Sequence, residues 1–274
     1  NLNRDLNTIE DQMLHYEAIG EALTLLKNKN NILPLKTNRL IGHIALGDDS
    51  SDFFEEQLEK YQSIKTINDV TPLNVEEKTK NIDTLVISFH RSNKTPWKAS
   101  DFSKQELNVI SKLAKNKILI IDVFVKPYAL SALESIDGID GLLLSYQNSK
   151  ASQILSADAI FGAQKIRGRL PVNISELYQE GDGIDQDKLY RMGYASGSAL
   201  GFDTSKLEAL DRLAQLAIDS LMTPGMRVLV SRKGKIFYDK SFGFHTYKKE
   251  RRVNKHDLYD LASLTKILGT LPLV

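Results

Sequence analysis

The chain has 274 residues, of which 36 are lysine or arginine, 35 are aspartate or glutamate, and none is cysteine. Apolar residues make up 42% and charged residues 26%, as in a folded globular protein long enough for two domains or for one domain and part of another. The charge balance argues against a nucleic-acid partner, and the lack of cysteine excludes disulfides, thiolate metal sites and cysteine nucleophiles.

The sequence contains no targeting or membrane signal. No apolar run reaches the roughly 18 residues of a membrane helix, so we predict no transmembrane segment. The start, NLNRDLNTIEDQML, lacks both an initiator methionine and the basic-then-apolar pattern of a signal peptide. We therefore expect a piece of a longer protein that has lost any targeting segment.

The first two thirds of the chain alternate helical and β-rich patterns. An N-terminal helix is predicted over about Ile9 to Asn28, with Ala22, Leu25 and Leu26 on its apolar face. Five strand candidates follow: IGHIAL (41–46), SIKTIN (63–68), DTLVISF (83–89), KILIIDVFV (117–125) and GLLLSY (141–146). Their alternation with helical patterns, and the nearly continuous apolar runs of DTLVISF and KILIIDVFV, predict an α/β fold, a doubly wound and mostly parallel sheet covered on both faces.

Two helices are predicted from capping boxes, in which a serine and a glutamate three residues later satisfy each other's backbone N–H groups. Ser103 and Glu106 open the first of these helices, and Ser205 and Glu208 open the second.

The stretch before the second of these helices is rich in glycine and serine, which predicts an interdomain connection. After that helix, MRVLVS and KIFYDKSFG flank a short turn with Gly234 and predict a hairpin. We therefore predict a first domain at 1–178, a linker at 179–201, and the truncated start of an α+β domain (helix, hairpin, S-x-x-K helix) at 202–274.

The last motif, ASLTK, places Ser263 three residues before Lys266. On a helix the two side chains lie one turn apart, so a neutral lysine amine can act as the base that a serine nucleophile needs. A helix N-terminus also favours developing negative charge. The alternative is that Ser263 simply caps the apolar helix ILGTLPLV, because S-x-x-K is a common chance pattern.

The segment that contains this motif, about 204–274, resembles the opening of the serine β-lactamase-like and penicillin-binding family, in particular its class C and esterase branch. The hairpin ending in SFGF and the following YDLASLTK carry the resemblance. It implies that Ser263 is the nucleophile and Lys266 its base partner. The family's tyrosine motif and glycine-containing strand do not fit in the eight residues after Lys266, so we expect this chain alone to be inactive and to form no stable acyl-enzyme.

The first domain, about 9–178, resembles the C-terminal α/β sandwich domain of family 3 glycoside hydrolases. EALTLLKNKNNILPL (21–35) and FGAQKIRGRLPVNI (161–174) carry the resemblance. In that family the nucleophilic aspartate lies on a barrel domain, as does the His-Asp acid/base pair of the N-acetylglucosaminidase branch. The resemblance therefore implies no catalytic residue in the sandwich.

Four weaker signals have plain structural interpretations. GDDSSD (47–52) is expected to cap a helix rather than bind a ligand, and HRSNK (90–94) is expected to be a solvated loop rather than a surface for the absent barrel. KKERR (248–252) is expected to be an exposed basic loop. His245 stands alone in the sequence, and no histidine has the spacing of a metal site.

Together the two resemblances imply a fragment of a bacterial hydrolase that combines a β-N-acetylglucosaminidase-like glycosidase with a serine acyl-transfer hydrolase. Such a parent would act on cell-wall glycans or peptides, bind its glycan through the absent barrel, need no cofactor or metal, and lie in the periplasm or cell envelope. The alternative is a non-catalytic α/β module that binds a ligand or protein partner.

Overall fold

The computed structural model describes residues 8–36, 40–92 and 101–273. The chain divides into two compact units. The first runs to Phe202 and includes Lys233–Lys235, and the second comprises Asp203–Arg232 and Ile236–Val274.

The first unit contains a six-stranded sheet in the order β1-β6-β5-β4-β2-β3. Its strands are β1 (Thr24–Asn28), β2 (Ile41–Gly47), β3 (Ile64–Thr66), β4 (Thr84–His90), β5 (Ile118–Phe124) and β6 (Gly141–Leu144). β1 pairs antiparallel with β6 at one edge, and the other neighbours are parallel. All five strands predicted from the sequence are present.

Helices cover both faces of this sheet. They are α1 (Ile9–Ala22), α2 (Asp52–Glu59), α3 (Val75–Lys78), α4 (Lys104–Leu113) and α5 (Lys150–Ile160), with short 3₁₀ turns at Lys29–Asn31, Pro127–Leu133 and Ser198–Leu200. On one face α3 and α4 pack against buried residues such as Leu85 and Ile121. On the other face α1, α2 and α5 pack against Val86 and Ile120. The predicted α/β fold class is confirmed.

The predicted N-terminal helix is too long. α1 ends at Ala22, and residues 24–28 form the edge strand β1 instead. Leu25 is fully buried on the face covered by α1, whereas Leu26 packs against the opposite face. The apolar triplet Ala22, Leu25 and Leu26 fits a helical spacing, but its two leucines are adjacent residues of a strand and point to opposite sides of the sheet.

The Ser103–Glu106 capping box is confirmed. The Glu106 backbone N–H donates to Ser103 Oγ at 3.3 Å, and the Ser103 N–H donates to Glu106 Oε2 at 2.6 Å. These bonds satisfy two of the backbone donors that a helix start leaves without partners.

The second unit contains helix α6 (Leu207–Asp219), strand β8 (Gly225–Arg232) and all but the first residue of strand β9 (Lys235–Gly243), and the two strands pair as a hairpin. The hairpin prediction is confirmed, and both turn residues, Lys233 and Gly234, have the positive φ that a two-residue turn requires.

The prediction of a Ser205–Glu208 capping box is wrong. A 3₁₀ turn, Thr204–Lys206, precedes α6, and the Asp203 carboxylate accepts from the Ser205 N–H at 3.1 Å and from its hydroxyl at 2.6 Å. An ionised carboxylate is a stronger acceptor than a hydroxyl, so the cap lies two residues earlier than predicted.

The stretch predicted as a linker, 179–201, makes specific hydrogen bonds within the first unit and includes strand β7 (Gly193–Tyr194). Ile184 donates its N–H to the Leu25 carbonyl at 2.7 Å, and Gln186 forms an antiparallel bridge with Ile166. Its polar composition therefore reflects a surface path along the sandwich. Among the described residues, no helix has the length and apolar character needed to cross a membrane.

Candidate active site

The predicted nucleophile Ser263 lies directly before the last helical segment of the second unit. That segment comprises a π-helical turn, Lys266–Thr270, and a 3₁₀ turn, Leu271–Leu273. The preceding residue, Ala262, has a φ of 43°, a left-handed conformation that side-chain-bearing residues rarely adopt. The Asp260 carboxylate accepts from the Ala262 N–H at 2.9 Å, and the Ala262 carbonyl accepts from Thr265 at 3.1 Å.

The structure brings the two predicted site residues into contact. Lys266 Nζ donates to Ser263 Oγ at 3.1 Å, and the Lys266 backbone N–H donates to the Ser263 carbonyl at 3.1 Å. Both residues are exposed. Ser263 therefore contacts the amine through its hydroxyl and accepts a first-turn bond through its carbonyl. The segment has no side-chain cap hydrogen bond, so the helix-cap interpretation is not confirmed.

His245, which was predicted to stand alone, has an acidic partner in the structure. Its Nε2 lies 2.7 Å from Asp257 Oδ2, and Arg251 donates to the same carboxylate at 2.7 Å. The histidine and the aspartate are 12 residues apart, so no short-range pattern could have paired them. The KKERR stretch, 248–252, is exposed as predicted.

The sandwich carries a buried polar cluster that the sequence reasoning missed. His43 Nε2 lies 2.7 Å from the Ser88 hydroxyl, and His43 Nδ1 lies 3.4 Å from Glu55 Oε1. The interaction with His43, together with hydroxyl donors from Ser51 and Thr66, lowers the pKa of Glu55 to about 2. A carboxylate is therefore held in its ionised form beside a histidine in the core.

His90, at the end of β4, contradicts the predicted solvated loop. The residue is fully buried, its ring stacks on Phe124 at 4.5 Å, and its Nδ1 donates to Asn148 Oδ1 at 2.8 Å. Burial lowers the pKa of His90 to about 4, so the ring is neutral at physiological pH.

The next residue, Arg91, is also mostly buried. Only 13% of its side chain is exposed, and its Nη2 donates to Glu106 Oε2 at 2.8 Å. Residues 93–94 of the predicted loop lie outside the described residues.

The GDDSSD stretch leads into α2 as expected. The residue at the N-cap position, Ser51, makes no side-chain capping bond to the helix backbone. Ser50 Oγ accepts from the Asp52 N–H at 3.1 Å, while Ser51 Oγ donates to Glu55 Oε1 at 2.8 Å.

Asp122 lies in the middle of β5 and is fully buried. Ser145 Oγ donates to its Oδ1 at 2.7 Å, and Ser156 Oγ donates to its Oδ2. Burial raises the pKa of Asp122 to about 7, although the two hydroxyl donors oppose the rise. The one sequence signal for this group was an aspartate inside the apolar run KILIIDVFV.

Of these sandwich groups, His43, His90 and Asp122 are fully buried and closed to solvent. Within the described residues, no group of three or more histidine or acidic side chains is placed to hold a metal ion. The pair predicted from the sequence, Ser263 and Lys266, is open to solvent.

The fold of the first unit, a mostly parallel sheet between two helical layers, defines an α/β sandwich. Residues 23–201 match the family model described as the glycosyl hydrolase family 3 C-terminal domain. The chain belongs to this family. Residues 210–272 match the family model described as β-lactamase, so both matched families are of hydrolase type.

Several solved structures align with part of the chain. A family 3 β-N-acetylglucosaminidase from Paenibacillus sp. str. FPU-7 aligns with 15% identity and a TM-score of 0.49 over 62% of this chain and 34% of its own. A β-glucoside phosphorylase bound to 2FGlc aligns with 17% identity and a TM-score of 0.50 over 60% and 32%. A β-glucosidase from Listeria innocua in complex with isofagomine aligns with 18% identity and a TM-score of 0.48 over 61% and 28%.

These identities limit the likeness to the fold, and the chain spans about a third of the length of these structures. No curated protein matches the chain.

Proposed function

We propose that the parent protein is a bacterial hydrolase with two activities, a β-N-acetylglucosaminidase-like glycosidase and a serine acyl-transfer hydrolase, both acting on cell-wall glycans or peptides. The order of the two family matches along one chain supports this combination. The glycosidase chemistry belongs to a part of the parent outside the sandwich, because the buried polar groups of the sandwich do not reach a glycan. Because the proposed substrate is cell-wall material, we propose that the parent protein lies in the periplasm or cell envelope.

The observation that carries the acyl-transfer proposal is the 3.1 Å contact between Lys266 Nζ and Ser263 Oγ at the start of a helical segment. In the acylation step the Lys266 amine accepts the hydroxyl proton while Oγ forms a bond to the substrate carbonyl carbon. The carbonyl oxygen becomes an oxyanion, which the N-terminal end of a helix stabilises. When the bond to the leaving group breaks, that group takes the proton from Lys266, and water later hydrolyses the acyl-enzyme.

The test is acylation of the full-length protein by a fluorescent penicillin, with the adduct located by intact mass and peptide mapping. We expect one adduct, on Ser263, in the wild type and none in Ser263→Ala or Lys266→Met. The matched control is Ser220→Ala, which removes another serine of the same unit and should label like the wild type. Hydrolysis of p-nitrophenyl N-acetylglucosaminide should be the same in all four proteins.

Unchanged ester or β-lactam turnover in Ser263→Ala would reject the acyl-transfer assignment. Absence of both glycosidase and acyl-transfer turnover in the full-length wild type would favour the non-catalytic module. The 274-residue chain alone is expected to show no stable adduct, because its exposed Ser263–Lys266 pair has no water-excluding enclosure among the described residues. A mass increase of one acyl group on that chain would contradict this expectation.

A further inference from the structure

Among the residues of the chain that lead up to Ser263, Asp257 has a carboxylate with an unusually large number of hydrogen bonds. Its Oδ2 lies 2.7 Å from His245 Nε2 and accepts from the Asn254 N–H at 2.7 Å. Its Oδ1 accepts from Arg251 Nη2 at 2.7 Å and from Asn254 Nδ2 at 2.8 Å. These partners leave only 3% of the side chain exposed. A covered carboxylate with four donors is fully satisfied and resists rotation.

The partners of Asp257 close a loop at the end of the hairpin. The His245 N–H donates to the Arg251 carbonyl at 2.8 Å, and the Val253 N–H donates to the Gly243 carbonyl, the last residue of β9, at 3.2 Å. Residues 243–257 therefore form one loop, called here the approach loop, whose two ends are held together by the Asp257 carboxylate.

A second set of bonds ties the approach loop to the hairpin. Arg227 on β8 donates its Nη1 to the Lys255 carbonyl at 2.6 Å. The same guanidinium holds Asp239 on β9 through two bonds, of 2.7 and 2.6 Å. A bidentate arginine–carboxylate pair fixes the plane of the guanidinium, so the position of Lys255 relative to the hairpin is fixed as well.

Only five residues separate Asp257 from Ser263, and part of that path is already constrained. The Asp260 carboxylate holds the Ala262 N–H at 2.9 Å, and Ala262 adopts its left-handed φ of 43° directly before the serine. The start of the Ser263 helical segment is therefore set by where Asp257 anchors the chain.

From this arrangement we infer that Asp257 is a positioning residue for the nucleophile: it closes the approach loop, which Arg227 ties to the hairpin, so that the Ser263–Lys266 pair is held at a fixed place relative to the hairpin. The inference rests on the proposed acyl-transfer function. It assigns a role in the rate of acylation, not only in stability, because displacing a reacting group by about 1 Å costs on the order of 100-fold in rate.

The experiment compares Asp257→Ala, Asp257→Asn and the control Asp219→Asn in the full-length protein. Asp219 is exposed and accepts from Gln215 at 2.8 Å on α6, so its variant tests the loss of a surface carboxylate alone. Hydrolysis of a p-nitrophenyl ester gives kcat and KM, and thermal unfolding gives the temperature at which each variant is fully folded. All rates are expressed per folded molecule.

We expect Asp257→Ala to lower kcat about 100-fold with KM changed less than about 3-fold. Asp257→Asn keeps the shape and one acceptor oxygen and should recover about 10-fold of that loss. The Asp219→Asn control should match the wild type. A residue that only stabilises the fold would lower the unfolding temperature and leave kcat per folded molecule unchanged.

If Asp257→Asn, measured while folded, keeps kcat within about 3-fold of the wild type, the positioning role is refuted. Should the alanine variant not fold, the asparagine variant and Arg227→Gln, which releases the Lys255 carbonyl, decide by the same criterion. Ser263→Ala distinguishes the two levels of the hypothesis. Turnover that survives in Ser263→Ala refutes the proposed function itself, whereas turnover lost in Ser263→Ala and unchanged in the Asp257 variants refutes only the role of Asp257.

Discussion

Replacing Asp122 by asparagine should change how the stability of the sandwich depends on pH. Asp122 is fully buried on β5, and burial raises its pKa from 3.8 to about 7. The folded state therefore binds a proton that the unfolded state has released over this interval. The stabilisation from that proton is complete below pH 3.8 and is lost as the pH rises through about 7, amounting to about 4 kcal/mol at about 1.4 kcal/mol per pH unit.

His90 acts in the opposite direction on the same face of the sheet. Burial lowers its pKa from 6.5 to about 4, so the unfolded state binds the extra proton between these values. The contribution of His90 to the free energy of unfolding is present above pH 6.5 and is lost as the pH falls towards 4. The total loss is about 3 kcal/mol. Between pH 4 and 6.5 the two slopes cancel, and the wild type should show little net dependence from this pair.

Urea unfolding at pH 5, 6, 7 and 8 separates the two groups. The stability of Asp122→Asn minus that of the wild type should rise by about 3 kcal/mol from pH 5 to above pH 7. The same difference for His90→Gln should rise by about 2 kcal/mol as the pH falls from 6.5 to 5. Asp137→Asn, which changes an exposed carboxyl, is the matched control and should give a flat difference. A flat difference for Asp122→Asn as well would refute the assignment of a proton to the core.

Four further substitutions test the packing, the caps and a turn. Phe54 is fully buried, so Phe54→Ala should cost about 3–5 kcal/mol of unfolding free energy, and a loss below about 1 kcal/mol would contradict its place in the core. Ser103→Ala should cost about 1 kcal/mol because its capping box is formed. By contrast, Ser205→Ala should stay within about 0.5 kcal/mol, and equal costs would restore the second box. Gly47→Ala should lower the midpoint of thermal unfolding by well over 5 °C, since φ is +107° and the new Cβ would lie 1.8 Å from the His90 carbonyl oxygen; an unchanged midpoint would show that the turn can rearrange.

The sandwich was largely predictable because its strands are buried on both faces. Runs such as DTLVISF are nearly continuous in apolar residues, which is typical of a parallel sheet covered on both faces. The edge strand β1 was missed for the opposite reason. Leu25 and Leu26 fit a helical stripe as well as a strand, and the choice was made by pairing with β6, more than 100 residues away along the chain.

The candidate site was predictable only where its contacts are local. Ser263 and Lys266 are three residues apart, so the helical rise alone brings Oγ and Nζ together. The His43–Ser88 contact joins residues 45 apart on neighbouring strands. Each polar residue looked like an isolated interruption of an apolar run until the strand register aligned them.

The contrast between local and distant contacts also decides what a substitution of a polar residue affects. Asp122 lies inside the sheet of the first unit, and changing its charge alters the energy of the whole core, because a buried ion without its partner is costly. Asp257 lies at the base of a loop whose partners are within 12 residues along the chain, so losing it frees a short segment and leaves the rest of the fold in place. A substitution there acts first on the geometry that leads to Ser263, and for that reason its effect belongs in kcat.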